Sequence, residues 1–175
     1  MDKKIRAVND PGKDIGKKRY IFYRQAFGHI AKSMEQGFNL EAISVIENLI
    51  SDRLEGHLTY LLGANYSFKT LGDLIYKTKE IETDEILKEL IAQDLNQWRI
   101  KRNASIHEMV KFEEGDTNNW FGRIKDLPAI AEEGLYIYRK IDKRIGIIKK
   151  EEKLAAMSNS KLSNIDKSNE KKLNN

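Results

Sequence analysis

Three side chains suited to phosphate chemistry crowd residues 98–109, WRIKRNASIHEM: Arg102, Asn103 and, five positions after the arginine, His107. A histidine with an ordinary pKa of about 6.5 can take or give a proton near neutral pH. A fixed guanidinium can hold a phosphate through paired hydrogen bonds and stabilise the charge of a phosphorane transition state. Together they suit the cleavage of RNA by its own 2′-hydroxyl. In that reaction a base removes the hydroxyl proton and an acid protonates the departing 5′-oxygen, and no metal is required. The same Arg-to-His spacing recurs at Arg24 and His29 in RQAFGH, so spacing does not decide the matter and the position of each pair on its element must.

The two pairs sit differently. Tyr23, Phe27 and Ile30 form the apolar stripe of their segment, and Arg24 and His29 fall off it, as a solvated surface pair would. In the later segment Ile91, Leu95 and Trp98 run along one face, and the next position on that face is Arg102. A guanidinium aimed at packed protein needs compensation, because its donors lose water. A carboxylate, a bound anion or a wet groove would supply it, and Glu47, Asp52 or Arg53 on an earlier helix lie near the relevant stripe, Glu47 and Asp52 being acids able to do so. Five steps along an ideal helix turn a side chain by about 140°, so Arg102 and His107 should not meet on one straight helix. The helix would have to start or bend here, with Ser105 and Glu108 as a capping box, or a second copy of the chain would have to complete the site across a two-fold axis.

The elements that must position these groups read as helices. Tyr20, Tyr23, Phe27, Ile30 and Met34 recur at helical spacing, Gly37 ends that run, and Asn39 can cap the next. Ile43, Ile46, Ile50, Leu54, Leu58, Leu61 and Leu62 form the clearest stripe, and His57 borders it as a hydrogen-bonded core histidine. Thr70 opens a short helix with Leu71, Leu74 and Ile75, and Thr83 or Asp84 caps another that leads into Arg102. Residues 113–126 read as a loop whose Trp120 and Phe121 either stack on an unpaired base or pack back on the bundle. Asp126 and Pro128 signal the start of the last helix, which carries Leu127, Ile130, Leu135, Tyr138, Ile141, Ile145 and Ile148 inward. The prediction is an all-α bundle of four main helices plus a short one, residues 18–150, between a flexible arm (1–17) and a disordered polar tail (151–175) rich in Ser, Asn and Lys.

Composition excludes several classes. The chain has 175 residues, no cysteine, three histidines and a formal charge of +4. Disulfides and thiolate metal sites are ruled out, and no metal or other cofactor is expected. The mild positive charge is compatible with a polyanion but does not demand one. No apolar run approaches the ~20 residues of a membrane span, and the N-terminal residues lack a signal peptide's apolar stretch, so a cytoplasmic protein without a membrane partner is expected.

RNASIH resembles the R-x4-6-H motif of the HEPN domains, small helical bundles of many prokaryotic toxins and antiviral ribonucleases, in which the residue after the arginine is often Asn. The preceding LIAQDLNQWRIKRN and the long VIENLISDRLEGHL are similar to the family's helices. The resemblance implies a homodimer with a composite, metal-independent ribonuclease site in which Arg102, Asn103 and His107 act; the residues themselves add Asp52, Trp120 and Lys101 as candidate RNA-binding or supporting groups. It implies an RNA substrate and an antitoxin or regulatory protein as a further partner. One subgroup extends the motif to R-x4-H-x-Y and is silenced at that tyrosine. Here Met109 stands in its place, so an inhibitor would act otherwise. Some members have lost catalysis, and a non-catalytic helical module that binds RNA, a nucleotide or a protein is the alternative reading.

Overall fold

The computed structural model describes residue 7, residues 14–107, 109, 111, 114–115 and 120–173, with side chains described to residue 158. Among the described residues the secondary structure is helical, without strands, as the periodicity predicts. The elements are α1 (Ile15–Glu35), α2 (Asn39–Leu62), α3 (Leu71–Ile81), a rod made of α4 (Glu85–Leu90), a π turn (Ile91–Leu95) and α5 (Asn96–His107), then α6 (Trp120–Ile124) and α7 (Leu127–Leu173). No helix among them is long and apolar enough to cross a membrane.

The helix boundaries follow from the chain's own polar groups. α1 stops where Gly37 adopts φ +79°, a left-handed conformation that glycine takes without a Cβ clash. The amide of Phe38 then reaches back to the carbonyl of Ser33 at 2.8 Å, and two carbonyl-rich turns are closed. Gly63, at φ +60°, ends α2 in the same way. Thr70 Oγ1 accepts from the amide of Asp73, and Asp84 Oδ1 accepts from that of Leu87. Each satisfies a first-turn donor that its helix cannot. Asn39 differs from the reading: it is the first residue of α2, and Phe38 holds the cap position.

α2 is the central element, packed on α1, α3 and α7. Its Ile43, Ile46, Ile50, Leu54 and Leu58 are fully buried, and they meet Leu74, Leu87, Ile91, Leu95, Trp98, Ile141 and Ile145 in one core. Leu87, Ile91 and Leu95 are each four residues apart, so on a pure α-helix their direction would drift by about 40° per step. The π turn between Leu90 and Asn96 widens the helix at that point, and all three are buried in the core. Trp98 continues their face. Its Nε1 donates to the carbonyl of Ile130 on α7 at 2.8 Å, and Gly134 lets the indole lie against the α7 backbone, since a Cβ there would stand 2.6 Å from the ring.

Three expectations change. Tyr20, placed with the apolar residues of the first helix, is exposed, because the face it occupies is left uncovered by other helices. The span read as a loop contains α6, with residues 116–119 outside the description. The expected arm gives up its last residues to α1, which begins at Ile15, and the remainder of the arm apart from Ala7 and Asp14 lies outside the described residues. The polar stretch after residue 150 continues α7 as far as Leu173. Every side chain from 151 to 158 is exposed, so the apolar poverty of that stretch is expressed as a lack of burial.

His57 is buried as expected, its Nε2 paired with the carboxylate of Glu82. The other oxygen of Glu82 accepts from the amides of Thr83 and Asp84. The Arg24–His29 pair is on the surface, with His29 Nε2 2.6 Å from Glu41, which settles it as a solvated pair.

Candidate active site

α5 positions the motif. Its first turn is pinned to α7 through Trp98, and four residues later Arg102 leaves the same face toward α2. There its Nη2 is ion-paired with Glu47 of α2, in a setting where the two side chains are only 15% and 18% exposed. The demand that burial of a guanidinium be compensated is met by a carboxylate, and Glu47 supplies it. Arg102 Nη1 donates to Oδ1 of Asn103 at 2.8 Å and to Nε2 of His107 at 3.3 Å. Its Nε is buried and has no acceptor. Burial pulls the guanidinium below its ordinary pKa, although arginine stays protonated in proteins.

The contact between Arg102 and His107 corrects the expectation that one straight helix keeps them apart. His107 is the last residue of α5, and the long arginine side chain covers the remaining angle. The capping-box reading of Ser105 is overturned: Ser105 lies inside α5 and its hydroxyl donates to the carbonyl of Lys101 at 2.9 Å. Glu108, the other half of that box, is outside the described residues. Accepting from Arg102 requires a lone pair on Nε2 of His107, which places the proton of a neutral ring on Nδ1.

Arg102, Asn103 and His107 line a groove of about 780 Å³ between α2, α5 and the loop before α3. Its other walls include Glu47, Glu55, Phe68 and Arg99. Glu55 accepts from the backbone amide of Lys69 at 3.2 Å, and Arg99 is bound by Oδ1 of Asn96 at 3.2 Å. A groove of this size fits a small ligand or one to two nucleotides, since ligand pockets run from roughly 300 to 1,000 Å³. Among the described residues no group of three or more His, Asp or Glu is placed to hold a metal ion.

The supporting residues fare unequally. Asp52 lines the groove, but its carboxylate accepts from the Tyr23 hydroxyl at 2.6 Å and lies 4.0 Å from Arg19, so it faces α1 and not Arg102. Lys101 points the other way, to Glu133 on α7 at 2.8 Å, because its neighbour Arg102 takes the groove side of the helix. Trp120 is exposed at the start of α6 and is absent from the groove lining, and Phe121 is more exposed still. Met109 is buried in the core, which accounts for an apolar residue two positions after His107. Phe68 and Arg99 were missed: neither belongs to a motif, and only the fold of the α2–α3 connection brings the former to the groove.

Comparison with known proteins returns no match: no family model fits the chain, and no curated protein or solved structure is similar to it at a significant level.

Proposed function

We propose that the groove is the active site of an endoribonuclease of HEPN type that cleaves RNA by attack of the 2′-hydroxyl on the adjacent phosphate. The observation that carries this reading is the direct contact of the Arg102 guanidinium with the His107 imidazole in an open groove. A proton-transfer group and a phosphate-binding group within hydrogen-bond reach are what the reaction needs. Arg102 binds the scissile phosphate, replacing Glu47 or sharing its Nη2 with it. Asn103 fixes the guanidinium through Oδ1. As Arg102 turns from His107 to the phosphate, the freed lone pair of His107 Nε2 takes the 2′-hydroxyl proton, the 2′-oxygen bonds to phosphorus, and the 5′-oxygen leaves with a proton from an acid. The products are a 2′,3′-cyclic phosphate and a 5′-hydroxyl.

The acid comes from a second copy of the chain. Of the three histidines, His29 is bound to Glu41 on the surface and His57 to Glu82 in the core, so within one chain a single imidazole reaches the groove. A homodimer that brings two His107 rings to one phosphodiester supplies both roles. Such an enzyme fits a toxin or phage-defence effector held in check by an antitoxin or other protein. A non-catalytic module that binds RNA or a nucleotide is the second reading, favoured by that same single imidazole per groove.

Incubation of the purified protein with RNA in EDTA tests the proposal. Expected products carry 2′,3′-cyclic phosphate ends, and cleavage per subunit falls on dilution as the dimer dissociates. His107→Ala loses cleavage by at least about 100-fold while its circular dichroism and oligomeric state stay as in the wild type. Undiminished cleavage by His107→Ala refutes the site. RNA bound but left intact selects the non-catalytic reading.

A further inference from the structure

We propose that Phe68 is a stacking platform for an unpaired nucleobase next to the phosphate held by Arg102; the inference rests on the reading of the groove as an RNA site and names how it would take a single strand.

Phe68 lies in the short connection between α2 and α3 and lines the groove that holds Arg102 and His107. Its backbone is at φ +56°, a left-handed conformation in which bulky L-residues are outliers. Its neighbours impose that conformation. The amide of Tyr66 donates to Thr59 Oγ1, Ser67 is buried with its hydroxyl on Asn65, and the amide of Lys69 donates to Glu55. Thr70 then caps α3. The chain is tied on both sides of residue 68, which holds the left-handed conformation between the ties.

Glycine or asparagine meets that requirement with little strain. A phenyl ring adds steric strain, and with 61% of its surface exposed burial returns little of what an aromatic side chain usually gains. Exposed aromatics occur elsewhere on the surface, at Tyr76 and Phe121 for example. Phe68 combines exposure, a strained backbone and a place in the wall of the groove. Outliers of this kind belong to ligand clamps and active sites when the surroundings hold them in place.

The ring's chemistry identifies the ligand. A flat, apolar, uncharged face offers a phosphate nothing, and it offers every base a π surface. Lys69, the next residue, and Arg99 also line the groove and supply cations for the backbone of a strand whose base rests on Phe68. Paired bases are stacked within their helix and cannot reach such a platform, so the substrate is single-stranded RNA or an RNA loop.

The test uses a mixed-sequence single-stranded RNA that is 2′-O-methylated throughout, so that it binds but cannot be cut, with 2-aminopurine placed at successive positions in a set of oligonucleotides. Binding to the full-length protein should quench the fluorophore at one position through stacking. Phe68→Leu and Phe68→Asn should weaken binding roughly 5- to 150-fold and abolish that quench, whereas Phe68→Tyr and Phe68→Trp should keep both. Phe68→Asn should also raise the melting temperature, because asparagine tolerates the left-handed backbone, which separates lost function from lost fold. Wild-type affinity and quenching in Phe68→Leu and Phe68→Asn, binding by the wild type without a quench at any position, or no binding overturns the platform. Quenching by a wild type that leaves unmodified RNA uncut sustains the platform and overturns the nuclease reading; cleavage without any quench does the reverse.

Discussion

Gly134→Ala sets a local rule against a packing constraint, and the two predict opposite signs. Glycine inside a helix is about 1 kcal/mol less favourable than alanine, so propensity alone predicts that the substitution stabilises α7. The new Cβ would stand 2.6 Å from Cε2 and Cζ2 and 2.7 Å from Nε1 of Trp98. Carbon atoms in contact sit about 3.5–4.0 Å apart, so the overlap is close to 1 Å. Trp98 is fully buried and cannot swing away into solvent. Overpacking of this kind destabilises by about 1–3 kcal/mol. A ring forced aside also strands its Nε1 donor, now 2.8 Å from the Ile130 carbonyl, at a further ~1–3 kcal/mol. After the helix gain the net loss is about 1–5 kcal/mol, and at roughly 3–5 °C per kcal/mol for a domain of this size the melting temperature should fall by about 10 °C. Gly146→Ala is the control on the same helix: nothing lies within 4 Å of its Cβ, and it should gain up to about 1 kcal/mol. Calorimetric melting of both variants decides the matter. A Gly134→Ala protein as stable as the wild type would refute the account of how α5 is seated on α7. Because Trp98 lies one turn before Arg102, the same variant should also lose RNA cleavage or binding at temperatures where it remains folded.

Two further outcomes follow from charges. Arg144, on α7, holds the Asp84 carboxyl below its usual range through a hydrogen bond. A depressed folded pKa contributes stability that is complete above the unfolded value of about 3.9 and disappears as pH falls through the folded one. The wild type should therefore lose melting temperature more steeply below about pH 4 than Asp84→Asn, which keeps the helix cap but not the charge; parallel slopes would refute the linkage. Glu47→Gln should lower stability by about 1 kcal/mol, because the half-buried guanidinium of Arg102 keeps a hydrogen-bond acceptor but loses its counter-charge, and it should tighten binding of the 2′-O-methylated RNA, since a negative charge leaves the phosphate position. Weaker binding would show that Glu47 supports the site instead of competing for it.

Elements with a strong period were legible. The α2 stripe, the Thr70 and Asp84 caps and the Leu87–Trp98 face all follow from apolar spacing and side-chain oxygens that act within a few residues. Legible too was the requirement that Arg102 be compensated, a carboxylate being one of three candidates. The meeting of Arg102 with His107 was not, because ideal-helix angles describe Cβ directions and not the reach of a guanidinium at a helix end. Asp52 was a reasonable partner by position, but Glu47 sits where Arg102 emerges and Asp52 is engaged by Tyr23. Phe68 was invisible: the chain around it is tied by hydrogen bonds from the amides of Tyr66 and Lys69 to Thr59 and Glu55 on α2, which no local pattern encodes.

Departures from ordinary stability rules gather at the groove. Phe68 holds a left-handed backbone in solvent, Arg102 keeps a buried donor without an acceptor, and the rod that delivers Arg102 contains a π turn, a feature common at functional sites. Comparable features lie elsewhere: Nε of Arg53 is also buried with no hydrogen-bond acceptor, although it lies 2.8 Å from Oδ1 of Asp142, and two more have a local account. Asp14, at φ +49° before α1, is of a type that visits that region readily. His57 leaves Nδ1 unpartnered while Nε2 is bound to Glu82. The groove combines two of them, at Phe68 and Arg102, and the π turn lies on the rod that leads to it. A chain selected only for folding would set glycine or asparagine at 68 and an apolar residue at 102, extending the face that ends at Trp98. The sequence instead keeps a ring and a guanidinium in the wall of one groove, where both can touch a ligand together. Consistency across levels is what specifies a fold, and local breaches of it mark where a protein does something else.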